Sequence, residues 1–144
     1  MSNDYLHENA TERARLLTLT APLTQADLMR PIPNGWTIAT KLLHLAFWDR
    51  YCVAMLKTWK TTNPSLSTLD VDAVNDAVRF LSLAVPPSAV VQLVCAAAEE
   101  VDREVENTTP ELRAAVEQAG RGRVLRRFIH RRTHLDQIEQ ALKG

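Results

Sequence analysis

Apolar side chains recur every three or four residues along most of this chain, the spacing of a helix with one buried face. The first segment with this spacing predicts a helix from about Asn3 to about Leu19. Thr24-Gln-Ala-Asp27 resembles a capping box and predicts a short helical turn that ends at Met29. The stretch 30–35 then excludes a helix, because it contains two prolines and an Asn-Gly pair.

The middle of the chain predicts two further helices. Thr37 is a natural N-cap for a long second helix that reaches about Lys60. This segment is apolar nearly all round, so we expect it to be central and buried. After a loop, Asp70 or Asp72 caps the next helix, which runs to about Leu83.

Helical patterns continue to the end of the chain. Ser88 is predicted to cap a helix from about Ala89 to Glu106, and Thr108-Thr109-Pro110 opens a short helix that reaches Gln118. The last helix is predicted from about Arg123 to Leu142. We find no β-alternation and no hairpin signal. The fold class is therefore all-α: one domain over residues 1–144, an up-and-down four-helix bundle with short extra helices.

Composition narrows the function classes. The chain has 17 lysines plus arginines and 17 aspartates plus glutamates, so its net charge is zero and no global field favours nucleic acid or a membrane. No stretch approaches the ~18 apolar residues of a membrane span. The polar start, Met1 to Ala10, predicts no signal peptide and hence a cytoplasmic protein. Cys52 and Cys95 have apolar neighbours, which favours buried thiols over a disulfide.

Three histidines are the strongest candidates for chemistry. His130 and His134 are four residues apart, so their side chains project from one face of the last helix. His44 lies in the apolar second helix beside Trp48 and Tyr51, and a buried imidazole needs a partner for each ring nitrogen. Convergence of the three would give a metal site with open coordination positions. The spacing alone also allows a surface pair and a satisfied core histidine.

The block from Gly35 to Asp49, Gly-Trp-Thr-Ile-Ala-Thr-Lys-Leu-Leu-His-Leu-Ala-Phe-Trp-Asp, resembles a conserved block of the DinB-like superfamily. The ending from His130 to Ile138 is similar to the family pattern H-x-x-x-H-x-x-Q-I. Weaker landmarks occur in the same order at 23–28 and 71–75. Members of this family, which includes mycothiol and bacillithiol S-transferase-like proteins, are four-helix bundles.

The resemblance implies a metal and a reaction class. In the family, one histidine of the second helix and two of the last bind a divalent metal, often zinc or nickel, and these match His44, His130 and His134. Characterised members activate a low-molecular-weight thiol for transfer, and others are described as metal-dependent hydrolases. The resemblance therefore implies a transferase or hydrolase that acts on a small-molecule substrate or thiol. The alternative is a non-catalytic, metal- or ligand-binding stress-response protein. Such bundles commonly form dimers, so a homodimer is a further expectation.

Several other residues are candidates for binding a cofactor or substrate. Arg123 and Arg127 fall near the last two histidines on the helical projection, where they could bind an anion such as a carboxylate of a thiol cofactor. Trp48 and Tyr51 could line a pocket above the metal. The alternative for the arginine cluster at 121–132 is ion pairing with the acidic run at 99–106. No dedicated base is evident.

Four carboxylates are candidates for indirect roles in the site. Asp49 lies about 140° around its helix from His44, so it does not share the ligand face but could act behind it. Glu99, Glu100 and Asp102 are candidates for hydrogen bonding to the distal nitrogen of a metal-bound histidine, although such residues more often form a solvated face.

Overall fold

Four long helices form the frame of this computed structural model, which describes residues 4–144. In chain order the elements are α1 (Asp4–Thr20), α2 (Gln25–Leu28), β1 (Pro31–Ile32), β2 (Trp36–Thr37), α3 (Ile38–Thr58), α4 (Val71–Ser82), α5 (Pro87–Glu106), α6 (Pro110–Gln118) and α7 (Arg127–Lys143). A single 3₁₀ turn, Gly122–Val124, precedes α7. The all-α class and the four-helix bundle with short extra helices are confirmed. Asn3, where the first helix was predicted to begin, lies outside the described residues.

The four long helices close into a ring. The helix α3 packs against α5 and α7, and α1 packs against the same two helices. Hence α1 and α3 face each other across the bundle, and α5 and α7 occupy the other two corners. Among the described residues, no helix combines the length and the apolar character needed to cross a bilayer.

The central position predicted for the second helix is confirmed. Thirteen of the 21 residues of α3 are buried, including Ile38, Leu42 and Leu56. The helix begins with a reciprocal capping box, in which the side chain of Thr37 accepts a hydrogen bond from the backbone N–H of Thr40 and the Thr40 side chain accepts one from the backbone N–H of Thr37. This start fixes the register in which His44 faces the interior.

The predicted caps are confirmed at three of the other helices. Thr24 and Asp27 form the capping box of α2, Asp70 caps α4, and Thr109 caps α6. The cap predicted at Ser88 is wrong, because α5 begins at Pro87, two residues before the predicted start at Ala89, and Ser88 lies inside the helix. Proline suits the first helical position, since it has no N–H to leave unpaired and its φ is already helical.

The start predicted for the last helix, Arg123, is also wrong. Residues 122–124 form the 3₁₀ turn, and α7 begins only at Arg127. Arg126 interrupts the helix with a non-helical backbone (φ −104°, ψ 67°), and its guanidinium is paired with Glu117 of α6. Arg126 is thus the residue at which α7 is preceded by non-helical backbone, and its ion pair joins this point of the chain to α6.

The expectation that no hairpin is present is wrong as well. Strands β1 and β2, each two residues long, pair in an antiparallel ladder, and β2 is followed directly by α3. The chain reverses through Asn34 and Gly35, both with positive φ (72° and 82°). Asn-Gly is the common sequence for such a reversal, but two-residue strands are too short to show an alternating pattern.

Candidate metal centre

The three predicted histidines meet at one point between α3 and α7. Nε2 of His44 lies 3.0 Å from Nε2 of His130 and 3.2 Å from Nε2 of His134. The two histidines of α7 are four residues apart, so both project toward α3, as the spacing predicted. One nitrogen from each ring lies within 4.8 Å of the other two, and the group could hold a metal ion.

The donor set and its spacing fit a divalent transition metal. Imidazole nitrogens bind zinc at about 2.0–2.1 Å, so two nitrogens on one tetrahedral zinc are about 3.4 Å apart. The observed separations of 3.0 and 3.2 Å are slightly shorter than this. Three neutral nitrogens also suit nickel and copper, so the donors do not select one metal. Three protein ligands leave at least one position for water or a substrate.

The second nitrogen of each ring has a different environment. Nδ1 of His134 lies 2.7 Å from Oε1 of Gln137, an acceptor that fixes the proton on Nδ1 and leaves Nε2 free for a metal. Nδ1 of His44 is buried and has no partner among the described residues. Nδ1 of His130 lies 3.3 Å from Nη2 of Arg127, which can only donate. Two of the three rings are therefore compatible with a metal on Nε2 without rearrangement.

Burial keeps the cluster unprotonated. It lowers the pKa of His44 to about 3, with further contributions from His134 and Lys41. Burial also lowers the pKa of His130, with the Arg127 guanidinium as the next cause, and it lowers the pKa of His134. All three rings are consequently neutral at physiological pH, which is the form that binds metals.

Behind the histidines, α7 buries two arginines. Nε of Arg127 donates to Asp49 at 2.9 Å, and both side chains are almost fully buried. Arg131 is completely buried and donates to both carboxylate oxygens of Asp102 at 2.8 and 2.9 Å. Its Nη2 also lies 3.4 Å from Asp49. Asp49 therefore lies behind the cluster, where the sequence allowed it a role, and it is joined to His130 through Arg127.

An open cavity of about 570 Å³ lies next to the three histidines. Its aromatic walls come from Trp36, Trp48 and Tyr51, and its cationic walls from Lys41, Arg121, Arg123 and Arg127. Among the described residues, no aspartate or glutamate lines it. The four residues predicted to bind a cofactor, Arg123, Arg127, Trp48 and Tyr51, thus share this cavity with the histidines.

The helix α4 supplies one side of the cavity through Val71 and Asn75. It packs chiefly against α3. The indole Nε1 of Trp48 donates to Oδ1 of Asn75 at 2.7 Å, which joins α4 to the aromatic wall. This side of the cavity therefore depends on a helix outside the four-helix ring.

The three acidic candidates of α5 do not contact the histidines. Glu99 pairs with Arg103, Glu100 with Arg50, and Asp102 with Arg13 and Arg131. The hypothesis that they hydrogen bond to a histidine nitrogen is therefore wrong.

The arginine cluster of 121–132 has mixed partners. Of its members, only Arg131 pairs with the acidic run of α5, through Asp102. Arg126 pairs with Glu117, and Arg132 with Glu8 and Glu12 of α1.

Two residues of the site were missed at the sequence level. The ring of Trp36, which we expected to matter only at the helix entrance, stands edge-on to His44 at 5.3 Å between centroids. Nζ of Lys41 lies 4.1 Å from the centre of the Trp36 ring. Lys41 is three residues before His44 on a buried helix, and this position was the available signal.

Comparison with known families gives a match over most of the chain. The family model described as the DinB superfamily matches residues 8–142, nearly the whole chain. No curated protein and no solved structure matches it.

Proposed function

The chain belongs to the DinB superfamily, and from this premise we propose that it is a metal-dependent enzyme in which His44, His130 and His134 hold one divalent ion, zinc or nickel. The reaction we propose is transfer involving a low-molecular-weight thiol, with hydrolysis as the other reaction of the same site. The observation that carries the proposal is the convergence of the Nε2 atoms of one buried and two half-buried histidines beside an open cavity.

Each neighbouring residue has a physical role in this proposal. A divalent ion supplies Lewis-acid chemistry when bound, which lowers the pKa of a thiol or water and polarises a carbonyl. Gln137 orients the ring of His134 through Nδ1. Trp36 and Trp48 form apolar walls that exclude water from part of the cavity. Tyr51 lines the same cavity, with its ring edge-on to that of Trp48 at 5.2 Å between centroids, and extends the aromatic wall.

A second function remains supported by one observation. Among the described residues no carboxylate lines the cavity, so the usual acidic groups for proton transfer are missing there. A non-catalytic metal- or ligand-binding protein has no need of such a group. The two functions differ in turnover and not in metal binding.

Metal analysis tests the first step. We expect about one equivalent of zinc or nickel in the purified protein, and at least roughly tenfold weaker binding after His44→Ala, His130→Ala or His134→Ala. His7→Ala is the matched control, because His7 is exposed on α1 and far from the cluster in the chain. Equal affinity in all four variants would remove the metal site from this proposal.

Turnover is then measured with the zinc- or nickel-loaded protein. Glutathione and cysteine serve as thiols toward an electrophilic chromogenic acceptor, and a nitrophenyl ester serves as a hydrolysis probe. Metal-dependent turnover that is absent in the His44→Ala variant supports an enzyme. Metal binding without turnover for any probe supports the non-catalytic function instead.

A further inference from the structure

Lys41 is a buried cation without a counter-charge. The residue is only 7% exposed, yet among residues 4–144 its amine has no ion pair and no hydrogen bond, and it lies over the face of the Trp36 ring. Burial lowers the pKa of this amine, as expected for an ammonium that has lost water and gained no anion. A charge in this position costs free energy unless a partner arrives.

The other two buried cations among the described residues are paired. Arg127 donates to Asp49, and Arg131 donates to Asp102. Lys41 and Arg127 both line the cavity, but among the described residues only Arg127 has a carboxylate partner. The amine of Lys41 therefore lies unpaired where a molecule from solution can reach it. The position of this unpaired cation therefore indicates that an anion from solution can bind in the cavity beside Lys41.

The rest of the cavity adds positive charge and no negative charge. Arg123 lines it without an ion pair to any described residue, and Arg121 donates to the carbonyl oxygen of Ser65 and lies over the Trp59 ring. A carboxylate on the cavity wall would have balanced these groups, but the described lining has none. The field in the cavity consequently favours an anion.

The aromatic walls indicate what the anion carries. Trp36, Trp48 and Tyr51 line the same cavity, and about 570 Å³ is enough for a small organic molecule. Trp36 contacts both Lys41 and His44, at 4.1 Å from Nζ and 5.3 Å between ring centroids. A molecule held by Lys41 is therefore adjacent to the histidine cluster.

We propose that the cavity binds a small organic anion, a carboxylate or a phosphate monoester with an aromatic or apolar body, and that Lys41 binds its charged end. This inference names the substrate class of the proposed function, but the binding itself does not require the metal. The body of the ligand packs against the aromatic walls while the charge is neutralised at Lys41.

The test compares ligands that differ in charge and hardly in shape. Benzoate, phenyl phosphate and the neutral amide benzamide are titrated into metal-free protein, with the tryptophan fluorescence and the amide NMR shifts of the cavity residues as readouts. We expect at least one of the two anions to bind at least tenfold more tightly than benzamide. Tighter binding of benzoate indicates a carboxylate ligand, and tighter binding of phenyl phosphate indicates a phosphate monoester. Benzamide binding as tightly as both anions would overturn the proposal.

Variants of one helix locate the effect. We expect Lys41→Met to weaken binding of the preferred anion by at least tenfold and to leave benzamide binding unchanged, whereas Lys41→Arg restores most of the affinity. Lys57→Met is the matched control, because Lys57 is an exposed lysine of the same helix. An equal loss of affinity in the two methionine variants, or no loss in either, would overturn the role of Lys41.

Metal binding is measured separately on the same variants. Because Lys41 is not one of the three histidines, we expect zinc to bind to Lys41→Met at about one equivalent. Anion binding without any metal binding would contradict the proposed function and leave this inference standing. Metal binding without a preference for anions would contradict this inference and leave the proposed function standing.

Discussion

Nη2 of Arg127 lies 3.3 Å from Nδ1 of His130. A metal-binding histidine usually donates from its distal nitrogen to an acceptor, but a guanidinium has no acceptor to offer. The contact therefore favours the neutral tautomer of His130 with its proton on Nε2, the nitrogen that faces His44. Both this hydrogen bond and the charge of Arg127 act against a cation at the cluster.

Replacing this guanidinium should strengthen metal binding. In Arg127→Gln the amide oxygen can accept from Nδ1 of His130, so we expect zinc affinity to rise by about tenfold, which corresponds to ~1.4 kcal/mol. A competition titration against a chromogenic chelator measures it. Arg123→Gln removes a cavity cation that does not contact His130, and its affinity should change by less than about threefold. Weaker binding in Arg127→Gln would show that the arginine supports the ligand.

The buried ion pair of α5 and α7 should be a large contributor to folding. Asp102→Asn leaves the completely buried Arg131 without its main counter-charge, so we expect the free energy of unfolding to fall by about 3–5 kcal/mol. Glu99→Gln is the control at an exposed pair with Arg103 and should cost less than about 1 kcal/mol. Urea denaturation measures both. A similar small loss in the two variants would contradict the prediction.

Stability of the metal-free protein should fall in acid because of His44. Its pKa is about 3 in the folded protein and about 6.5 in the unfolded chain. Between these values only the unfolded chain takes up the proton, so the free energy of unfolding decreases as the pH falls, by about 1.4 kcal/mol per pH unit.

Urea denaturation of His44→Gln tests this assignment. The dependence of the free energy of unfolding on pH between about 4 and 6 should be smaller than in the native sequence by about one proton. An identical slope in the two proteins would mean that His44 is not the group that takes up the proton.

The capping box of α3 should be worth a measurable amount of stability. Thr37→Ala removes the side chain that accepts from the N–H of Thr40, and we expect a loss of about 1 kcal/mol. Thr58→Ala, at the exposed end of the same helix, is the control and should change the free energy of unfolding by less than about 0.5 kcal/mol. Thermal denaturation of the two variants decides whether the cap contributes.

Local signals were sufficient for most of the fold. Capping residues such as Thr37 and Asp70 act on backbone groups within three residues, so their effect can be predicted from the chain alone. The histidine pair of α7 was predictable for the same reason, since helix geometry fixes the relation of His130 to His134. Convergence with His44 rested on the family resemblance, because no local rule relates two distant helices.

The buried charges could not be predicted in this way. An arginine on a helix is usually exposed, and Arg131 is buried only because Asp102 on another helix meets it. Lys41 is three residues before His44, which places it near the histidines, but this position does not show that its amine is buried without a counter-charge. The burial of a charged side chain depends on contacts between helices that are far apart in the chain. The local pattern of apolar and polar residues carries no information on these contacts.

The Trp48–Asn75 hydrogen bond joins a wall of the cavity to a helix that packs chiefly on α3. This side of the cavity can therefore change without altering the contacts among the four long helices, whereas the side formed by α3 and α7 cannot. Substitutions in 61–83 can alter which molecules fit while the ring of four helices keeps its packing. In descendants of this chain, selection for a new ligand can therefore act on α4 and its preceding loop while the four long helices stay folded.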